Sequence, residues 1–129
     1  MERGKLKLKH HYKDGLKGAI SVYVELADGT VWLSKREIAA FFRVSLQAVN
    51  VNMSLVFKNG DVNDCELTYY KDGVMYYNLD MVIALAFRMK GGYCRHFREW
   101  ITRQVVKSFT ASERVPIYIS MEHSAYIDN

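Results

Sequence analysis

The side chains with the most legible chemistry lie between residues 34 and 58. Gln47, Asn50 and Ser54 place two amides and a hydroxyl three and four residues apart, so on a helix they share one face. Amides presented this way can hydrogen-bond bidentately to adenine edges in the DNA major groove, and a serine hydroxyl can donate to a base or a phosphate. Arg36, Arg43 and Lys58 flank the unit as candidate phosphate contacts, and Lys71, near the tip of a later hairpin, is the candidate contact of a wing. The stretch from Ser45 to Phe57 holds no Lys or Arg, so the positive charge for such a role has to come from its surroundings. Arg43 also occupies a turn position where glycine is favoured for its positive φ.

Other chemistries lack their motifs. There is no GxxxxGKS or GxxxxGKT, no GxGxxG, no HExxH and no GxSxG, so no enzyme and no cofactor is expected. Cys94 and His96 diverge by about 200° on a helix, which is poor geometry for a shared metal. The remaining histidines, His10, His11 and His123, fall outside the helices. Asn52-Met53-Ser54 satisfies a glycosylation sequon but lies inside a helix and is discounted. Two cysteines, Cys65 and Cys94, are too few for a disulfide scaffold and point to a reducing, cytoplasmic compartment. No apolar run approaches the roughly 20 residues that span a bilayer, and the lysine-rich start is no secretory signal, so no membrane association is expected.

The elements that must position these residues follow from local pattern. With 129 residues, 50% hydrophobic and 25% charged, one domain with a real core is expected. The first 18 residues hold six basic and two acidic side chains, and so carry the whole net charge of +4. Lysines 5, 7 and 9 alternate with leucines as in a strand, but nearby glycines favour a flexible basic arm, either a handle for a polyanion or a solubilising tail. Residues 19–33 alternate Ile20, Val22, Val24, Leu26 with polar residues and meet Asp28-Gly29, which predicts a hairpin with a type I′ turn.

Ser34 and Glu37 make a capping box, so a helix is expected from Lys35, with Ile38, Ala39 and Phe42 inward. Ser45 caps a second helix, 46–57, with Leu46, Val49, Met53, Val56 and Phe57 at helical spacing. Ala39 is the small residue that lets these two helices cross closely. A second hairpin turns at Asp72-Gly73, Asn78 caps a largely apolar helix over 79–90, and Gly91-Gly92 ends it. A last helix over 93–109 is expected to turn Phe97, Trp100, Ile101, Val105 and Phe109 inward, and Arg98 is expected to pair with Asp80. Tyr76, Tyr77, Phe97 and Trp100 are read as core packing. Pro116 precedes a short run, Ile117 to Ile119, that reads as an edge strand within a C-terminal tail.

The predicted fold is therefore α+β: a winged helix-turn-helix with two small β-hairpins, followed by two packed helices. Residues 1–18 form the arm, 19–110 the domain and 111–129 the tail. Val31-Trp32-Leu33-Ser34, Glu37 to Ser45, Phe57 to Asp61, Tyr76-Tyr77-Asn78-Leu79-Asp80 and Phe97-Arg98-Glu99-Trp100 together resemble the virulence RhuM family of bacterial and mobile-element proteins. A looser resemblance runs to the BRO-type N-terminal domains of phages and viruses. The resemblance implies a prokaryotic DNA-binding domain, and this sequence departs from the family pattern at Arg43 and in its uncharged second helix. The expected partner is double-stranded DNA, with a homodimer an open option. The alternative is a protein-interaction domain with a degenerate helix-turn-helix that regulates a toxin or phage partner.

Overall fold

A computed structural model describes residues 2–10, 20–62 and 67–111, so Cys65 and the tail beyond residue 111 lie outside the described residues. The described chain is α+β. Its strands are β1 (Lys5–His10), β2 (Ile20–Glu25), β3 (Leu33–Ser34), β4 (Thr68–Lys71) and β5 (Val74–Tyr77). Its helices are α1 (Lys35–Phe42), α2 (Leu46–Asn59), α3 (Leu79–Arg88) and α4 (Cys94–Ala111). β1 and β2 form an antiparallel pair, and β3, β5 and β4 form a three-stranded antiparallel sheet in that order.

The helix starts follow their caps. Ser34 accepts from the Glu37 amide while the Glu37 carboxylate accepts from the Ser34 amide, closing the expected capping box. Ser45 caps α2 through the Ala48 amide, and Asn78 caps α3 through that of Met81. Each cap satisfies an amide that would otherwise lack a partner in the first turn, which typically stabilises a helix by about 1 kcal/mol. The Thr30 hydroxyl takes a further free amide of α3, that of Leu79, at 2.9 Å. Between α1 and α2 the chain bends by 111°. Ile38, Phe42, Val49 and Val56 are fully buried on either side of that bend, and Ala39 is buried where a small residue was expected. Burying each of the large side chains contributes roughly 1.5–3 kcal/mol.

The second hairpin turns as expected at Asp72-Gly73, with φ positive at both positions, as a type I′ turn requires. The first does not form as expected. Asp28-Gly29 makes the same tight turn, closed by the Ala27–Thr30 bridge, but the flanking strands then part. β2 takes β1 as its partner, with Leu6 opposite Val24 and Leu8 opposite Val22, while β3 joins β5. Over residues 5–10 the basic stretch is therefore a strand rather than a loose arm, and residues 11–18 of the expected arm lie outside the described residues. Leu6 is buried in the core, and that burial anchors the strand. A turn sequence fixes a reversal locally but not which strand lies alongside which.

α4 also departs from expectation. Phe97 is fully buried and Trp100 and Ile101 pack against the core, but Val105 and Phe109 are 48% and 54% exposed, because α4 runs on past the body of the domain. Arg98 does not pair with Asp80. Its guanidinium donates to the Ala86 and Met89 carbonyls at 2.6 and 2.9 Å, capping the C-terminal end of α3. α3 is buried on most sides, with Met81, Val82, Leu85 and Ala86 inside and Leu79, Ile83 and Ala84 packed against the core, while Phe87 is 57% exposed. No single helix among the described residues is long and apolar enough to cross a membrane.

Candidate nucleic-acid interface

At 100° per residue, Val49, Met53 and Val56 occupy one side of α2, and all three are buried. Gln47, Asn50, Ser54 and Lys58 then fall within about 80° on the opposite side, along roughly 16 Å of helix. All four are exposed. The burial of one stripe thus leaves the amides of Gln47 and Asn50 turned outward. Ser54 differs from its expected role in one respect. Its hydroxyl donates back to the Asn50 carbonyl at 3.1 Å, so it offers acceptor lone pairs rather than a free proton.

An open groove of about 770 Å³ lies beside this face. Arg36 from the first turn of α1, Asn50 from α2, and Gly73 to Tyr77 from the turn and strand β5 line it together. The structure thus brings Arg36 and Asn50 to one groove, while Lys71, exposed near the tip of the same hairpin, stands in register opposite Val74 of the lining. Arg43 stands elsewhere. It is exposed, and its guanidinium lies over the Tyr93 ring at 4.7 Å, at the loop that leads into α4. Lys58 sits in the last turn of α2, where a cation complements the helix dipole.

Arg43 adopts φ 56° and ψ 49°, the left-handed conformation that its turn position demands. The Arg43 and Val44 amides donate to the Ala40 and Ala39 carbonyls, closing α1 in a Schellman motif. The turn is held from outside as well. The Tyr93 amide donates to the Phe42 carbonyl at 2.8 Å, and Phe41, Phe42 and Phe97 pack edge to face beneath it.

Sequence reasoning missed Arg3. Its guanidinium bonds the Glu37 carboxylate at 2.6 Å and the Trp32 carbonyl at 3.3 Å, and lies over the Tyr76 ring at 4.8 Å. It neutralises the one carboxylate among the described residues of the groove lining. Partial burial on its own would raise the Glu37 carboxyl, but bonding to Arg3 and to the Ser34 amide outweighs it and holds the group below its ordinary value. The same bond to Glu37 raises Arg3. No local pattern links positions 3 and 37; only the fold brings them together.

Cys94 is fully buried, and desolvation pushes its thiol up to about 11, against a smaller opposing pull from Arg98, so it is poorly suited to act as a nucleophile. Among the described residues, no group of three or more His, Cys, Asp or Glu side chains is placed to hold a metal ion. Comparison with protein-family models, with curated proteins and with solved structures finds no match for this chain.

Proposed function

We propose that this chain is a duplex-DNA-binding module of winged helix-turn-helix type, a regulator of transcription or of a mobile element. In this reading α2 enters the major groove, α1 spans the backbone and the β4–β5 hairpin is the wing. The observation that carries it is the pair of capped helices bent by 111°, with Gln47 and Asn50 exposed on the side of α2 opposite its buried stripe. Gln47 and Asn50 face adenine edges, and Arg36, Arg43, Lys58 and Lys71 hold phosphates. Ser54, its proton already engaged, accepts a hydrogen bond from a base amino group. The resemblance to the RhuM family supports the same reading.

Selection of bound oligonucleotides from a random duplex pool tests it, because binding and preference are read together. A consensus containing adenine is expected, and changing Gln47 and Asn50 together to Ala should relax it at a cost of about 1–3 kcal/mol for each bidentate pairing removed. Absence of duplex binding at low salt overturns the reading. A second reading, docking of α2 on a protein partner, is favoured by Val51, Leu55 and Phe57, which are 53%, 38% and 37% exposed on the same helix. A partner-free chain that shifts a duplex in a gel counts against it.

A further inference from the structure

The lysines of β1 are set by pleat and register into a row. Leu6 is in the core with Val24 opposite it, and the half-buried Leu8 shares its face with Val22 opposite, so Lys5, Lys7 and Lys9 share the other face with Glu25, Tyr23 and Ser21. All three lysines are exposed. None is in an ion pair among the described residues, and Glu25, the acid directly across from Lys5, accepts the Tyr23 hydroxyl at 2.7 Å instead. Lys9 lies over the Tyr23 ring at 5.3 Å, which steers its ammonium along the face of the sheet. Alternate residues of a strand repeat at about 6.8 Å, so the three ammonium groups follow a line roughly 14 Å long. The row begins two residues beyond Arg3, which is tied to the first turn of α1 beside Arg36.

We infer that the solvent face of β1 and β2 is a second contact surface for duplex DNA, on which Lys5, Lys7 and Lys9 track the phosphates of one strand. This rests on the duplex-binding reading of the chain and adds to it a surface remote in sequence from α2. Three ammonium groups on this line can each neutralise one phosphate of the strand that they follow. The contact is independent of base sequence, because ammonium groups on flexible stems meet phosphate as point charges. It supplies the positive charge that the reading helix lacks over most of its length. Lysines on an edge strand also deter pairing with another chain, but that role predicts an effect on self-association and none on nucleic acid.

The test is the salt dependence of affinity for a short labelled duplex of random sequence, read by fluorescence anisotropy. The full chain, the triple variant Lys5→Gln, Lys7→Gln, Lys9→Gln and the double variant Gln47→Ala, Asn50→Ala are compared. Removing one lysine from the phosphate row should flatten the slope of log affinity against log salt by about 0.9. The triple variant should therefore lose about 40-fold of the affinity ratio between about 50 and 200 mM salt, while the double variant, which loses uncharged amides, binds more weakly by the same factor at both salt concentrations and so keeps a parallel slope. A triple variant that folds as the parent does and retains the parental slope overturns the inference and leaves the duplex-binding reading standing. So does one that merely self-associates, or one that loses binding to phosphatidylserine vesicles with duplex affinity intact. A parent chain that binds no duplex overturns both.

Discussion

Changing Gly92 to Ala tests whether the α1–α2 turn is held from outside. Gly92 has φ +57°, and a Cβ built there overlaps the Phe42 carbonyl oxygen and comes within 2.8 Å of the Arg43 carbonyl oxygen. Both oxygens belong to the turn, so neither can retreat without moving α1 or α2. Left-handed backbone costs a residue with a Cβ about 1–2 kcal/mol. Displacing the loop also breaks the bond from the Tyr93 amide to the Phe42 carbonyl and leaves both groups poorly paired, at a cost of about 1–3 kcal/mol. The substitution should therefore cost about 2–5 kcal/mol, a large share of the roughly 5–15 kcal/mol that such a domain has. Gly29→Ala is the control: φ is +82° there too, but nothing lies within 4 Å, so only the backbone penalty applies. Urea unfolding followed by tryptophan fluorescence separates the two, and equal losses for Gly92→Ala and Gly29→Ala would refute the close approach.

Two further outcomes follow from the same geometry. Arg98→Met should destabilise the fold by about 1.5–3 kcal/mol in urea titrations, because the Ala86 and Met89 carbonyls lose a charged donor, whereas Asp80→Asn should cost no more than the helix-dipole contribution of about 0.3–1 kcal/mol. A larger effect at Asp80 would reinstate the ion pair. For Glu37, the native carboxyl titrates below its ordinary value of 4.5, so the native state holds this proton more weakly than the unfolded chain does. Its stabilisation is full above pH 4.5 and is lost as pH falls through the lower native value. Glu37→Gln keeps a side chain able to close the capping box but loses the charge pair with Arg3, so its unfolding midpoint should fall less steeply over that acid range than the parent's. Parallel pH profiles would sink this assignment.

What the sequence disclosed was local. Ser34 with Glu37, Ser45 and Asn78 announce helix starts because each cap acts within three residues of itself, and Asp28-Gly29 and Asp72-Gly73 announce reversals because two positive φ angles define them. The outward face of α2 was equally readable, since the spacing of Val49, Met53 and Val56 fixes which side is buried. What it withheld was non-local. The pairing of β1 with β2 and of β3 with β5 depends on which apolar faces the core accepts, and the alternation of residues 5–10 suits a free arm as well as a strand. Arg98 had a carboxylate and a helix end to choose between, and only the packing of α3 against α4 decides in favour of the helix end. The period of α4 marks an apolar stripe through Val105 and Phe109, but a stripe does not reveal whether its own chain reaches far enough to cover it.

Arg43 shows how a broken local rule bears on function. Glycine would close the α1–α2 turn without strain, and nothing about the Schellman bonds needs a side chain. Arginine holds φ 56° at a penalty of about 1–2 kcal/mol, which its placement over Tyr93 offsets by about 0.5–1 kcal/mol. Stability alone therefore does not account for the residue. The strain is tolerated because the turn is held by its Schellman bonds and from the far side by the Tyr93 amide and the close-lying Gly92. What the side chain brings is an exposed positive charge held over Tyr93, at the loop that leads into α4. On the proposed duplex-binding reading, α2, whose first three turns are uncharged, would read through its amides while Arg36, Arg43 and the hairpin tip attract phosphate, so that preference and affinity would reside in different residues and could be altered separately.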